Sequence, residues 1–101
     1  MSTLTRSNLL VALAVLAIVV AVPNFIWFVA ESGSQGGDAL NGYVAAGHYF
    51  LASHGIYTEV GAGTWEWSRM HALSVLATLP FAVAGAVYLT RRLIRYAATD
   101  I

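Results

Sequence analysis

Two long apolar runs frame a polar, glycine-punctuated middle. No charged residue occurs from Ser7 to Ala30, and Glu31 closes that run. A second uncharged run extends from Met70 to Thr90, between Arg69 on one side and Arg91 and Arg92 on the other. At a rise of about 1.5 Å per residue, ~20 apolar residues cross a ~30 Å hydrocarbon core. The pattern therefore predicts a membrane α class: a transmembrane hairpin of two helices. Residues 1–8 form a cytoplasmic N-terminus, 9–30 the first transmembrane helix and 31–63 an extracytoplasmic loop. Residues 64–96 form a long helix containing the span 70–90, and 97–101 a cytoplasmic tail. Thr64 stands as its N-cap, and Glu66 suits the positive end of the helix dipole.

The middle opens with the flexible run ESGSQGGD. Gly42, Gly47 and Gly55 then divide a stretch rich in aromatic and β-branched residues: Tyr43, Val44, Tyr49, Phe50, Leu51, Ile56, Tyr57, Thr58 and Val60. Such residues between turn signals predict a short antiparallel β-ribbon or meander, with turns near Ala46-Gly47 and His54-Gly55. The rival is an amphipathic helix over about 38–53 lying on the outer membrane surface.

Composition fits the membrane assignment. The 101 residues are 58% hydrophobic and 10% charged, whereas a soluble domain carries about 25% charged residues. Arg6 followed by LLVALAVLAIVVAV also matches the n- and h-regions of a signal peptide. However, the apolar run continues through Phe25, Ile26, Trp27 and Phe28, and Pro23 and Asn24 occupy the cleavage region. A retained anchor is the expectation. Arg6, Arg91, Arg92 and Arg95 flank the outer ends of the pair, whereas the connecting segment carries Arg69 alone against four acidic residues. The positive-inside rule then places both termini in the cytoplasm of a bacterial inner membrane. Trp27, Trp65 and Trp67 are expected as outer interface anchors, and Arg91, Arg92 and Arg95 as inner ones touching lipid headgroups.

Balanced charge points away from a nucleic-acid partner. The absence of cysteine excludes disulfides and thiolate chemistry. No phosphate loop, GxSxG or HExxH occurs, so no enzyme class and no cofactor is implied. Pro23 and Pro80 fall inside the spans, where modest kinks are expected.

Ser74, Thr78, Ala82, Ala86 and Thr90 recur every four residues, and Ala14, Ala17 and Ala21 provide small positions on the first helix. Small residues at this spacing let helix backbones approach closely. The two surfaces meet within the hairpin, or the longer row docks on another chain. His71 lies just inside the second span, with Asn24 at a similar depth in the first. A hydrogen bond between them would satisfy both. An interfacial histidine facing water or headgroups is the plainer alternative. A haem or pigment ligand at His71 is a distant one, because such sites need further ligands. His48, His54, Asp38, Glu59 and Glu66 have no metal-selecting spacing. Glu66 and Arg69 form an i,i+3 surface pair. Tyr43, Tyr49, Phe50 and Tyr57 are candidate loop contacts with a partner.

The runs GGDALNGYV, GHYFLASHGIYTEV and WEWSRMHALSV, together about half the chain, resemble a recurring pattern in small bacterial two-span membrane proteins. The resemblance implies a defined loop unit and no particular activity. GYVAAG lacks the TVGYG-type filter of two-span potassium channels. The functional expectation is a non-enzymatic accessory or structural subunit of a larger membrane complex, respiratory or photosynthetic by base rate. Its partners would be membrane lipids and other membrane subunits. The alternative is a self-assembling oligomer forming a pore or small transporter.

Overall fold

A computed structural model describes residues 3–99 and contains two long helices with a three-stranded antiparallel sheet between them in the chain. Helix α1 spans Thr3–Gln35. Strands β1 (Asp38–Ala45), β2 (His48–Ser53) and β3 (Ile56–Val60) follow, and helix α2 spans Ala62–Thr99. Both helices are long and apolar enough to cross a membrane. The small segments 1–2 and 100–101, which belong to the expected terminal regions, lie outside the described residues.

Helix α1 runs past Ala30, the expected end of the first span. Glu31, Ser32 and Ser34 do not break a helix by themselves. Ser34 Oγ donates back to the Glu31 carbonyl at 2.9 Å, and Gln35 Nε2 donates to Glu31 Oε1 at 3.4 Å. The stop comes at Gly36 and Gly37, with φ of 93° and 130°. Gly37 N donates to the Ser32 carbonyl at 2.8 Å. This six-to-one bond around a left-handed glycine is a Schellman cap.

Helix α2 likewise starts before Thr64. Trp65 N donates to the Gly61 carbonyl at 3.1 Å, so Gly61 supplies the first acceptor and Thr64 is not the cap. Both helices run uninterrupted through Pro23 and Pro80.

The middle segment forms strands, as its aromatic and β-branched content predicts. Each hairpin loop has two residues with positive φ: Ala46 (51°) with Gly47 (78°), and His54 (51°) with Gly55 (79°). Such pairs match the right-handed twist of the flanking strands. The sheet order is β1-β2-β3, with Tyr43 opposite Phe50 and Phe50 opposite Glu59. An irregularity interrupts β1 between Asp38 and Tyr43. The rival interfacial helix over 38–53 is replaced by this meander.

The chain divides into two compact units. One combines Met1–Pro23 with Ala77–Ile101, and the other is Asn24–Leu76. In the first, Ala14, Ala21, Ala82 and Gly85 are buried. A Cβ added at Gly85 would lie 2.9 Å from the Ala14 carbonyl oxygen, so the two backbones approach there. In the second, Leu51 is fully buried, together with Ala39, Ala52, Ala72 and Val75.

Of the predicted four-residue row, Ala82 is buried and Thr78 half-buried, whereas Ser74, Ala86 and Thr90 are exposed. A four-residue step advances about 40° around a helix of 3.6 residues per turn, so such a row spirals off any one face. The inward positions of the first unit's α2 segment alternate steps of three and four instead: Thr78, Ala82, Gly85, Leu89 and Arg92. On α1, Ala14 and Ala21 are buried and Ala17 is half-buried.

Candidate functional site

The most chemically distinctive place is in the second unit, around His71. The α1 positions Asn24, Phe28 and Glu31 follow steps of four and three, so they share one face. On α2, Ser68, His71, Ala72 and Val75 do the same and are buried.

These faces assemble one polar network. The Ser74 hydroxyl donates to the His71 carbonyl at 2.6 Å. With its proton used there, its oxygen accepts from Asn24 Nδ2 at 3.0 Å. That fixes the Asn24 amide with Oδ1 toward His71 Nε2, 2.9 Å away. An amide oxygen only accepts, so Nε2–H is the donor. The other ring nitrogen, Nδ1, lies 3.4 Å from Glu31 Oε2. This separation falls within ion-pair range, yet Nδ1 makes no hydrogen bond and is buried.

Three aromatic rings surround the imidazole. Trp27 meets it edge-on at 4.6 Å between centroids and Phe28 at 5.4 Å. Trp67 lies at 5.5 Å, and the two indoles are 5.7 Å apart. His71 retains 4% of its accessible surface, which removes it from water and headgroups. One ring nitrogen is engaged by Asn24 and the other faces Glu31. An external haem or pigment would have to break a protein contact to reach either.

No protein-family model matches the chain, and neither curated proteins nor solved structures give a significant match.

The sheet presents a second feature. Tyr43 stacks on Phe50 at 4.9 Å and meets Tyr57 edge-on at 5.3 Å. Tyr43 and Tyr57 are exposed, and Phe50 is half-buried. At the end of the same face His48 Nδ1 lies 2.5 Å from Glu59 Oε1. Tyr49 belongs to the opposite face, against Trp65 at 5.9 Å, and is half-buried rather than free for a partner. Trp65, an expected membrane anchor, packs against the sheet. It is half-buried, and its indole N–H donates to the Phe50 carbonyl at 3.2 Å. Trp27 and Trp67 remain exposed at 54% and 45%.

Asp38 is occupied with Asn41, accepting from its backbone N–H at 3.2 Å and its side-chain amide at 2.7 Å. Arg69 Nε and Glu66 Oε2 form the i,i+3 pair at 3.1 Å. Among the described residues, no three histidine or acidic side chains gather as metal ligands would.

Three residues enter the picture only with the structure. Glu31 completes the network, seven residues after Asn24 and so on its face. Buried Ser68 accepts from the Ala39 N–H at 2.9 Å, tying β1 to α2. Gly85 makes the close backbone approach. Helical spacing from Asn24 would have found Glu31. Ser68 has no comparable signal, because its partner is a backbone group on a strand.

Proposed function

We propose that this protein is a two-span integral membrane protein of a bacterial inner membrane that serves as a non-enzymatic accessory or structural subunit of a larger membrane complex. Both termini face the cytoplasm and the sheet lies on the outer side. The observation that carries this reading is where the large apolar side chains point. Only 11% of the most apolar stretch of α1 and 22% of that of α2 is buried. Leu16, Val19, Ile26, Leu76, Phe81 and Val83 are all more than half exposed. A core helix of a soluble protein would be mostly buried, and water would not tolerate two uncovered helices of this composition. Lipid or neighbouring helices cover them.

What faces inward supports a structural role. The interior contains small residues, and the polar groups around His71 are turned toward one another. Ala86 and Thr90 stay on the outside of α2, as small positions suited to a neighbouring helix. The exposed Tyr43 and Tyr57 offer a second contact, for a partner on the outer side. Aromatic residues of this kind dominate protein interfaces. Respiratory and photosynthetic assemblies are the hosts to examine first.

Extraction in a gentle detergent followed by native mass measurement tests the assignment. A single copy inside a hetero-complex is the expected species. A ring of identical chains would replace it with the self-assembling pore or transporter.

A further inference from the structure

At the far end of the first unit the charge is entirely one-sided. Its described residues hold Arg6, Arg91, Arg92 and Arg95 and no Asp or Glu; Asp100 lies outside the described residues. Three of these arginines, Arg91, Arg92 and Arg95, line a single recess of about 490 Å³, together with Ser7, Ala84 and Val87. Arg92 is committed within the fold. It donates to the Ser7 hydroxyl and, at 3.3 Å, to the Tyr96 hydroxyl. Arg91 and Arg95 are exposed and form no ion pair among the described residues.

Arg91 and Arg95 stand four apart on a helix, where like charges repel. An anion between them removes that repulsion, and guanidinium forks suit phosphate oxygens two at a time. The recess is also lined by the apolar side chains of Ala84 and Val87. Leu93 and Ile94, in the same turn, are 70% and 63% exposed. Cationic donors next to exposed apolar side chains match the boundary between headgroup and acyl chain.

We infer that this recess is a binding site for the phosphate of an anionic phospholipid, gripped by Arg91 and Arg95 while Arg92 braces the wall. The inference rests on the membrane assignment above and goes beyond general attraction to a charged surface.

The test uses the full chain in nanodiscs of mixed phosphatidylglycerol and phosphatidylcholine, with retained lipid counted by native mass spectrometry. The wild type is expected to retain phosphatidylglycerol selectively. R91Q/R95Q should lower that retention at least about tenfold, whereas R6Q, outside the recess, should leave it within about twofold. R91K/R95K keeps the charge and the topology signal but loses the forks, and should weaken retention several-fold. Inorganic phosphate at millimolar concentration should fail to displace the lipid. Equal retention of both lipids, an R6Q loss matching R91Q/R95Q, an unchanged R91K/R95K variant, or displacement by free phosphate would each overturn the assignment. Carbonate extraction of the same variants reads the membrane assignment separately. A chain that stays in the pellet yet retains no lipid refutes the site alone, and one released into the supernatant refutes the membrane assignment itself.

Discussion

The two compact units are cut from the same pair of helices, yet they hold those helices together by different means. In the unit of Met1–Pro23 and Ala77–Ile101, contact depends on the absence of side chain. Gly85 lets the α2 backbone meet the Ala14 carbonyl, and Ala14, Ala21 and Ala82 keep the packing thin. In the Asn24–Leu76 unit, contact depends on polar and aromatic groups that find one another: Asn24, Ser74, Glu31 and the ring shell around His71. Small-residue packing tolerates no added volume. Network packing tolerates no lost partner. The contrast also has a chemical logic. A polar group deep in hydrocarbon is expensive unless paired, whereas the second unit also carries the sheet and the charged end of α1.

The largest effect is expected at His71. His71→Leu removes the centre of the network and leaves the Asn24 amide oxygen without its donor. A destabilisation of about 3 kcal/mol or more is expected, from lost ring packing plus the unpaired amide oxygen. Thermal unfolding in mild detergent, followed by tryptophan fluorescence, measures it. Trp27 and Trp67 sit against the ring and report locally. A loss below about 1 kcal/mol would mean the network contributes little to holding the helices.

Next comes Gly85→Leu. Its Cβ would crowd the Ala14 backbone, which cannot rotate away as a side chain does. Overpacking of this kind costs typically 1–3 kcal/mol. Ala86→Leu is the matched control, since Ala86 is exposed. It should leave the unfolding midpoint unchanged while weakening assembly with a neighbouring helix. Equal effects of the two substitutions on folding would erase the distinction between inward and outward small positions.

Ser68→Ala probes a single link of the second unit. The buried Ala39 N–H loses its acceptor, at about 1–2 kcal/mol. Hydrogen exchange at Ala39 should accelerate, while exchange at Ala14 and Ala82 stays as it was. The smallest change, and the only stabilising one, is Ala46→Gly in the first hairpin loop. Ala46 has φ of 51°, a conformation that costs a side-chain-bearing residue roughly 1 kcal/mol. A gain of that size in the unfolding free energy is expected.

The sequence reveals these regions unevenly. The two apolar runs and the turns at Ala46-Gly47 and His54-Gly55 are legible because hydrophobic length and glycine placement are strong local signals. The helix ends are less so. Glu31, Ser32 and Ser34 read as loop, because the residues that stop α1 are Gly36 and Gly37 a turn later. Asn24 and His71 stand out as polar residues in apolar runs, and the structure brings them within 2.9 Å. The four-residue row misleads in part, since the inward face follows alternating steps and selects Gly85 in place of Ala86. Trp65 resembles an interface anchor, but its N–H belongs to Phe50, a partner fifteen residues away on a strand. Such long-range backbone acceptors leave no trace in spacing.

The absence of cysteine from the chain makes the side of the membrane reached by each segment measurable by labelling. Single cysteines placed at Thr3, Ala45 and Ala97, all exposed, can be reacted with a membrane-impermeant maleimide in intact spheroplasts and again after permeabilisation. Ala45→Cys is expected to label in intact spheroplasts, and Thr3→Cys and Ala97→Cys only once the membrane is opened. Ala45→Cys protected until permeabilisation, or either terminal cysteine labelled from outside, would contradict a two-span protein that carries its sheet on the outer face.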